Sequence, residues 1–177
     1  MIQELSVRPV PKNQNARYVF FALLGAAAMT VLISYFLSSY KGVIQLASLI
    51  LLAPAVLIYT RYIGCSYFYE VAFANETPIF IVLQLSGKRR TALCRVNLSD
   101  IVDIKTLTGA EYRAYKPEVG MKRYNYTPTL GPSEVHLMQV RSRMEKADVF
   151  LEISEEFRAL LLSYAAEARA MRAEDED

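Results

Sequence analysis

The 177-residue chain contains no tryptophan, one histidine and two cysteines, and these shortages remove whole classes of function. A lone histidine, His136, rules out clusters of histidine ligands and most Ser-His or Cys-His catalytic arrangements within one chain. Set in the segment "EVHLMQVRS", it reads as a strand residue. Cys65 and Cys94 lack C-x-x-C spacing, and in a reducing cytoplasm they read as two free thiols rather than a disulfide or a metal pair. The segment "SGKRRT" has a Gly-Lys step, but no glycine five residues before Gly87 and no Ser or Thr directly after Lys88, so it is not a phosphate-cradling loop. A dinucleotide fingerprint is missing too. Asp100 and Asp103 straddle the start of "IVDIKTLT" and read as a turn residue and a solvent-facing strand residue rather than an acid pair. No catalytic residue, cofactor or metal is expected, and the protein is expected not to be an enzyme.

Charge is missing from two long stretches. Between Arg17 and Lys41, "YVFFALLGAAAMTVLISYFLSSY" has no ionisable side chain but tyrosine, and "VIQLASLILLAPAVLIYT" runs from Gly42 to Arg61. At about 1.5 Å per residue each can cross a hydrocarbon core of roughly 30 Å, which predicts transmembrane helices over 18–40 and 43–63 joined by an external turn at 41–42. A cleaved signal peptide would have a shorter apolar run and no second run behind it. Arg8, Lys12 and Arg17 precede the first span and Arg61, Lys88, Arg89 and Arg90 follow the second, against Lys41 alone in the turn, which places both termini in the cytoplasm at the inner cell membrane. Tyr18, Tyr35, Tyr40, Tyr59 and Tyr62 fall near the expected water boundaries. Because the spans carry no charge except at the turn, ion or proton conduction is not expected. Ala22, Gly25 and Ala26 offer small residues to a partner helix, in the first instance the second span of the same chain.

The excess of basic residues is local. Up to Ile63 there are five Lys or Arg against Glu4, whereas from Gly64 onward fifteen basic residues face seventeen acidic ones. Basicity is therefore mostly a topology signal, and a nucleic-acid partner loses its support.

Residues 64–172 suffice for one domain. Its segments turn β-rich: "SYFYEVAFA" and "PIFIVLQLS" flank the turn "NET", and "TALCRVN", "IVDIKTLT", "MKRYNYT", "EVHLMQVRS" and "ADVFLEI" bring the total to seven strands. Phe157, Leu160, Leu161, Tyr164, Ala168 and Met171 then recur at helical spacing behind a Ser154 N-cap, ahead of a solvated, frayed acidic tail at 173–177.

This order, two membrane helices followed by seven antiparallel strands and one C-terminal amphipathic helix, resembles the bacterial pleckstrin-homology-like (YcxB-like) small membrane proteins. Within that group, "GKRRTALCRVNLSDIVDI" and "KRYNYTPTLGPSEVHLMQV" resemble a set of two-span proteins in which an "RYNY"-type strand precedes a proline-containing turn. The resemblance implies a fold and brings no catalytic residues with it.

Two surface readings follow. The preferred one makes the β-domain a regulator or scaffold, docking a protein partner or another copy of itself. In the alternative, Lys88, Arg89 and Arg90 join Lys122 and Arg123 as a basic rim for anionic phospholipid headgroups, although "GKRR" also reads as a solvated hairpin turn. An accessory role beside a transporter or membrane enzyme ranks third, and no small-molecule substrate is identified. In an extended "MKRYNYT", Lys122, Tyr124 and Tyr126 share one face, which turns the rings inward and leaves Arg123 and Asn125 to solvent, a face that reads first as structural and second as a lipid or partner contact.

Overall fold

The computed structural model describes residues 2–12, 14–74, 77–142 and 145–176. Two long helices lead into a mainly-β domain of two sheets, closed by a C-terminal helix.

Helix α1 (Asn15–Phe36) and helix α2 (Lys41–Ile58), the latter prolonged by a π turn over Tyr59–Ile63, are both long and apolar enough to cross a membrane. They lie against each other along a seam of Leu23, Ala27, Thr30 and Ser34 on α1 and Ile44, Ser48, Leu51 and Ala55 on α2, all spaced by three or four residues. Ser34 and Ser48 can be buried there because each hydroxyl donates to a carbonyl of its own helix, Val31 at 2.6 Å and Gln45 at 2.7 Å. The expected seam was one turn-face away: Ala22, Gly25 and Ala26 are exposed, and a Cβ added at Gly25 would meet nothing. The turn also moves. Helix α1 stops at Phe36, a short 3-10 turn covers Ser38–Tyr40, and Lys41 opens α2, because the Ser38-Ser39 pair breaks the apolar run before its last tyrosine.

The first sheet has the order β1-β2-β3-β4, all antiparallel, from β1 (Leu5–Val7), β2 (Cys65–Ala74), β3 (Thr77–Ser86) and β4 (Arg89–Asn97). The turn expected at "NET" falls largely on Asn75 and Glu76, outside the described residues. A 3-10 turn at Leu98–Asp100 leads to β5 (Ile101–Thr108), then helix α3 (Gly109–Ala114), β6 (Lys122–Asn125), β7 (Glu134–Arg141) and β8 (Lys146–Leu151). These four strands form the second sheet in the order β5-β7-β8-β6. Among the described residues there are eight strands where seven were expected, and they are not all antiparallel: β6 runs parallel to β8, with Tyr124 opposite Val149. The extra strand, β1, is too short to show an alternating pattern, yet it pairs Leu5 to Val71 and Val7 to Tyr69. Both ends of the helix hairpin therefore enter the same domain.

The core lies between the sheets, where Tyr69, Phe80, Leu98, Ile101, Ile104 and Met138 are fully buried. Helix α4 (Glu155–Glu176) covers one end, burying Phe157, Leu161, Ala165 and Ala168, while Leu160 and Tyr164 are half-buried and Met171 is exposed. Ser154 Oγ accepts from the Phe157 amide at 3.2 Å, as the N-cap expectation required. Helix α4 takes in the acidic residues up to Glu176, and Asp177 lies outside the described residues.

Candidate functional site

The two basic segments singled out in the sequence sit in different surroundings. Lys88 belongs to the tight turn joining β3 to β4, where Gly87 takes a φ of +59° that other residues rarely adopt. The register fixes where this turn points. Cys65, one residue beyond the Gly64 that caps the second apolar helix, pairs with Ser86, and Ser86 pairs with Arg89. Lys88, Arg89 and Arg90 thus lie about two strand spacings, roughly 10 Å, from the point where that helix gives way to the domain. Arg8 joins them: its guanidinium donates to Ser66 Oγ at 3.0 Å and lies 5.7 Å from the Phe68 ring, over which Arg90 also sits at 5.9 Å. No carboxylate among the described residues pairs with Lys88, Arg89 or Arg90, and the stretch from Thr77 to Ser99 contains no acid at all.

Strand β6 is the opposite case, since its charges are already engaged. Lys122 lies 3.3 Å from Glu145, whose carboxyl is held below the usual range by a 2.9 Å hydrogen bond donated by the Tyr124 hydroxyl and, next, by Lys122 itself. The same contacts hold the Lys122 ammonium above its ordinary range. Arg123 lies over the rings of Phe150 at 4.7 Å and Tyr112 at 5.2 Å and donates to the Tyr115 carbonyl. Beneath it, burial and a hydrogen bond to Asp148 push the Tyr115 phenol up to about 12. Asn125 is not offered to solvent as its alternating position implied. It is half-buried, donating from Nδ2 to the Tyr112 hydroxyl at 2.7 Å and accepting the amide and hydroxyl of Thr127 on Oδ1. The tyrosines behave as expected: Tyr124 and Tyr126 stack at 6.2 Å against the core.

Helix α3, which supplies Tyr112, is the element that sequence reasoning missed. Its signal was present, because Thr108 and Glu111 form a reciprocal capping box. Gly109 is required there: its amide donates to the Ser133 carbonyl at 2.6 Å, and a Cβ would lie 2.5 Å from the Pro132 carbonyl oxygen.

Strand β6 meets the end of the second apolar helix at one place. Arg61, in the π turn, donates to the Asn125 carbonyl at 2.7 Å, and a cavity of about 360 Å³ lined by Thr60, Arg61, Tyr67, Gln84, Asn125 and Tyr126 opens at this junction of helix and sandwich. Cys65 and Cys94 are both free thiols, and burial pushes the Cys94 thiol up to about 11. No known family model matches the chain, and no curated protein matches it in sequence.

Proposed function

We propose that the chain is a non-enzymatic integral membrane protein whose β-domain, of pleckstrin-homology-like design, is held at the cytoplasmic face of the cell membrane as a regulator or scaffold. The observation that carries this reading is the double attachment: β1 before the helix hairpin pairs with β2 after it, with only residues 8–14 between β1 and α1 and Gly64 alone between the π turn and β2. A platform fixed in this way has a defined height and orientation, which a tethered module lacks. Only 11% of each apolar window is buried within the protein, which favours lipid contact over the interior of a soluble fold. Two four-stranded sheets closed by α4 support the pleckstrin-homology-like comparison, while β1 and the parallel β6 depart from a simple seven-strand order. Purification of the full chain in mild detergent is expected to recover a defined oligomer or a stoichiometric partner; recovery of monomer alone contradicts the scaffold reading.

A second reading rests on Lys88, Arg89 and Arg90. Three cations without acidic partners beside the helix exit suit a surface of anionic phospholipid, each contributing on the order of 1 kcal/mol near the bilayer. The full chain in nanodiscs should retain anionic lipid in preference to neutral lipid, and retention should fall with salt. Equal retention of both lipids sinks this reading. The fragment 64–177 is a poor substitute for the full chain here, because it removes β1 and Arg8.

A further inference from the structure

A second cluster lies at the other end of β7, away from the basic turn. Glu134 and His136 are two residues apart on β7 and share a face; Glu155 opens α4, and Glu152 follows β8. Glu134, His136 and Glu155 each bring one ligand atom to within 4.8 Å of the others. The cluster borders a cavity of about 450 Å³ roofed by residues 7–12, the segment that runs from β1 toward α1, and Glu152 lines the same cavity.

Two buried atoms here lack a partner among the described residues. His136 is 2% exposed and its Nδ1 makes no hydrogen bond, while Glu152 is 5% exposed with Oε1 unpaired. Native interiors rarely leave such atoms unsatisfied, and each costs on the order of 1–3 kcal/mol. The remaining atoms have partners: His136 Nε2 lies 3.2 Å from Glu155 Oε1, Glu152 Oε2 accepts from the Thr129 amide at 2.9 Å, and Lys12 Nζ lies 3.1 Å from Glu134 Oε2. Glu155 also accepts from Arg158 at 2.6 Å and Thr106 at 3.0 Å. An ion pair between His136 and Glu155 explains one ring nitrogen and leaves the other nitrogen and the Glu152 oxygen unexplained.

We propose that Glu134, His136 and Glu155, with Glu152 lining the same cavity, form a binding site for a divalent first-row transition metal ion. One imidazole nitrogen with carboxylate oxygens and no thiolate suits Mn²⁺ or Zn²⁺, whereas Mg²⁺ keeps its waters and is held by oxygen alone. Lys12 is the resident cation that a metal must displace from Glu134. Sequence spacing concealed the site because its two acids come from separate elements, and one histidine alone signals nothing.

The test uses the untagged full chain in detergent, stripped with chelator and titrated with Mn²⁺, which avoids competition from the two thiols. The chain has one histidine, so nitrogen coupling from an imidazole in the pulsed electron paramagnetic resonance of bound Mn²⁺ reports His136 alone. We expect one saturable equivalent with that coupling. Glu155→Gln, which keeps the side chain's size and removes its charge, should weaken binding at least about tenfold. Lys12→Ala should tighten it by about twofold to fivefold, the strength of an exposed ion pair. Absence of saturable binding at millimolar Mn²⁺, binding without nitrogen coupling, or affinity unchanged in Glu155→Gln would each overturn the proposal.

Discussion

Lys88, Arg89 and Arg90 on one segment and Lys122 and Arg123 on another read alike as sequence, since both are short basic runs beside β-strands. In the fold they have different fates. The first run caps a hairpin with no acidic neighbour among the described residues and points toward the end of the second apolar helix, whereas the second is engaged by Glu145, Phe150, Tyr112 and the Tyr115 carbonyl. What separates them is partner supply. The β3-β4 hairpin has no carboxylate to offer, while β6 lies between Glu145 on one side and the aromatic surface under α3 on the other. A basic run becomes an interaction surface only where the fold leaves its charge unspent.

The contrast can be broken from its structural side first. Phe150 is fully buried and carries Arg123, Tyr112 and Tyr115, so Phe150→Ala should destabilise the domain by about 3–5 kcal/mol, read as a large fall in Tm of the solubilised protein. An unchanged Tm would mean that the aromatic platform holds nothing together. Arg123→Ala removes a cation from two ring faces and should cost about 1 kcal/mol, while Arg123→Lys should restore only part of it because the planar guanidinium is lost.

Alkaline pH offers a milder probe of the same surface. The folded Tyr115 phenol is raised to about 12 from its ordinary 10, so it releases its proton later than in the unfolded chain. Its stabilisation is complete below pH 10 and is lost as pH rises through 12. Thermal unfolding between pH 9 and 12 should show this decline in the wild type and less of it in Tyr115→Phe. The smallest stability effect belongs to the other segment: Lys88→Ala, Arg89→Ala and Arg90→Ala together should shift stability by no more than about 0.5 kcal/mol. Their loss should instead reduce retention of anionic lipid, and a large loss of stability with unchanged retention would invert the comparison.

Much of this architecture was legible in the sequence, and the misses have physical reasons. The helix hairpin and most strands follow from charge-free runs and alternation, which are properties of neighbouring residues. The strand Leu5–Val7 was hidden because three residues pairing with a partner 66 positions away leave no local pattern. The Lys122–Asn125 strand was read correctly as extended, but its parallel pairing with β8 is a matter of topology. Asn125 was assigned to solvent because alternation specifies a face and cannot show that α3 will cover it; the Thr108-Glu111 capping box would have placed that helix. The helix seam was misplaced because Ala22, Gly25 and Ala26 look better suited to close packing than Ser34 and Ser48, whose hydroxyls are satisfied within their own helices.

The placement proposed for the domain, against a bilayer with its β3-β4 turn facing lipid, rests on the contrast with β6, whose cations are engaged by internal contacts. It is tested most directly by single fluorescent labels at Lys88→Cys and Lys122→Cys, in a background where Cys65 and Cys94 are replaced, in vesicles carrying a headgroup-attached quencher. The account predicts strong quenching at position 88 and weak quenching at position 122. Equal quenching at both positions, or the reverse order, would contradict it.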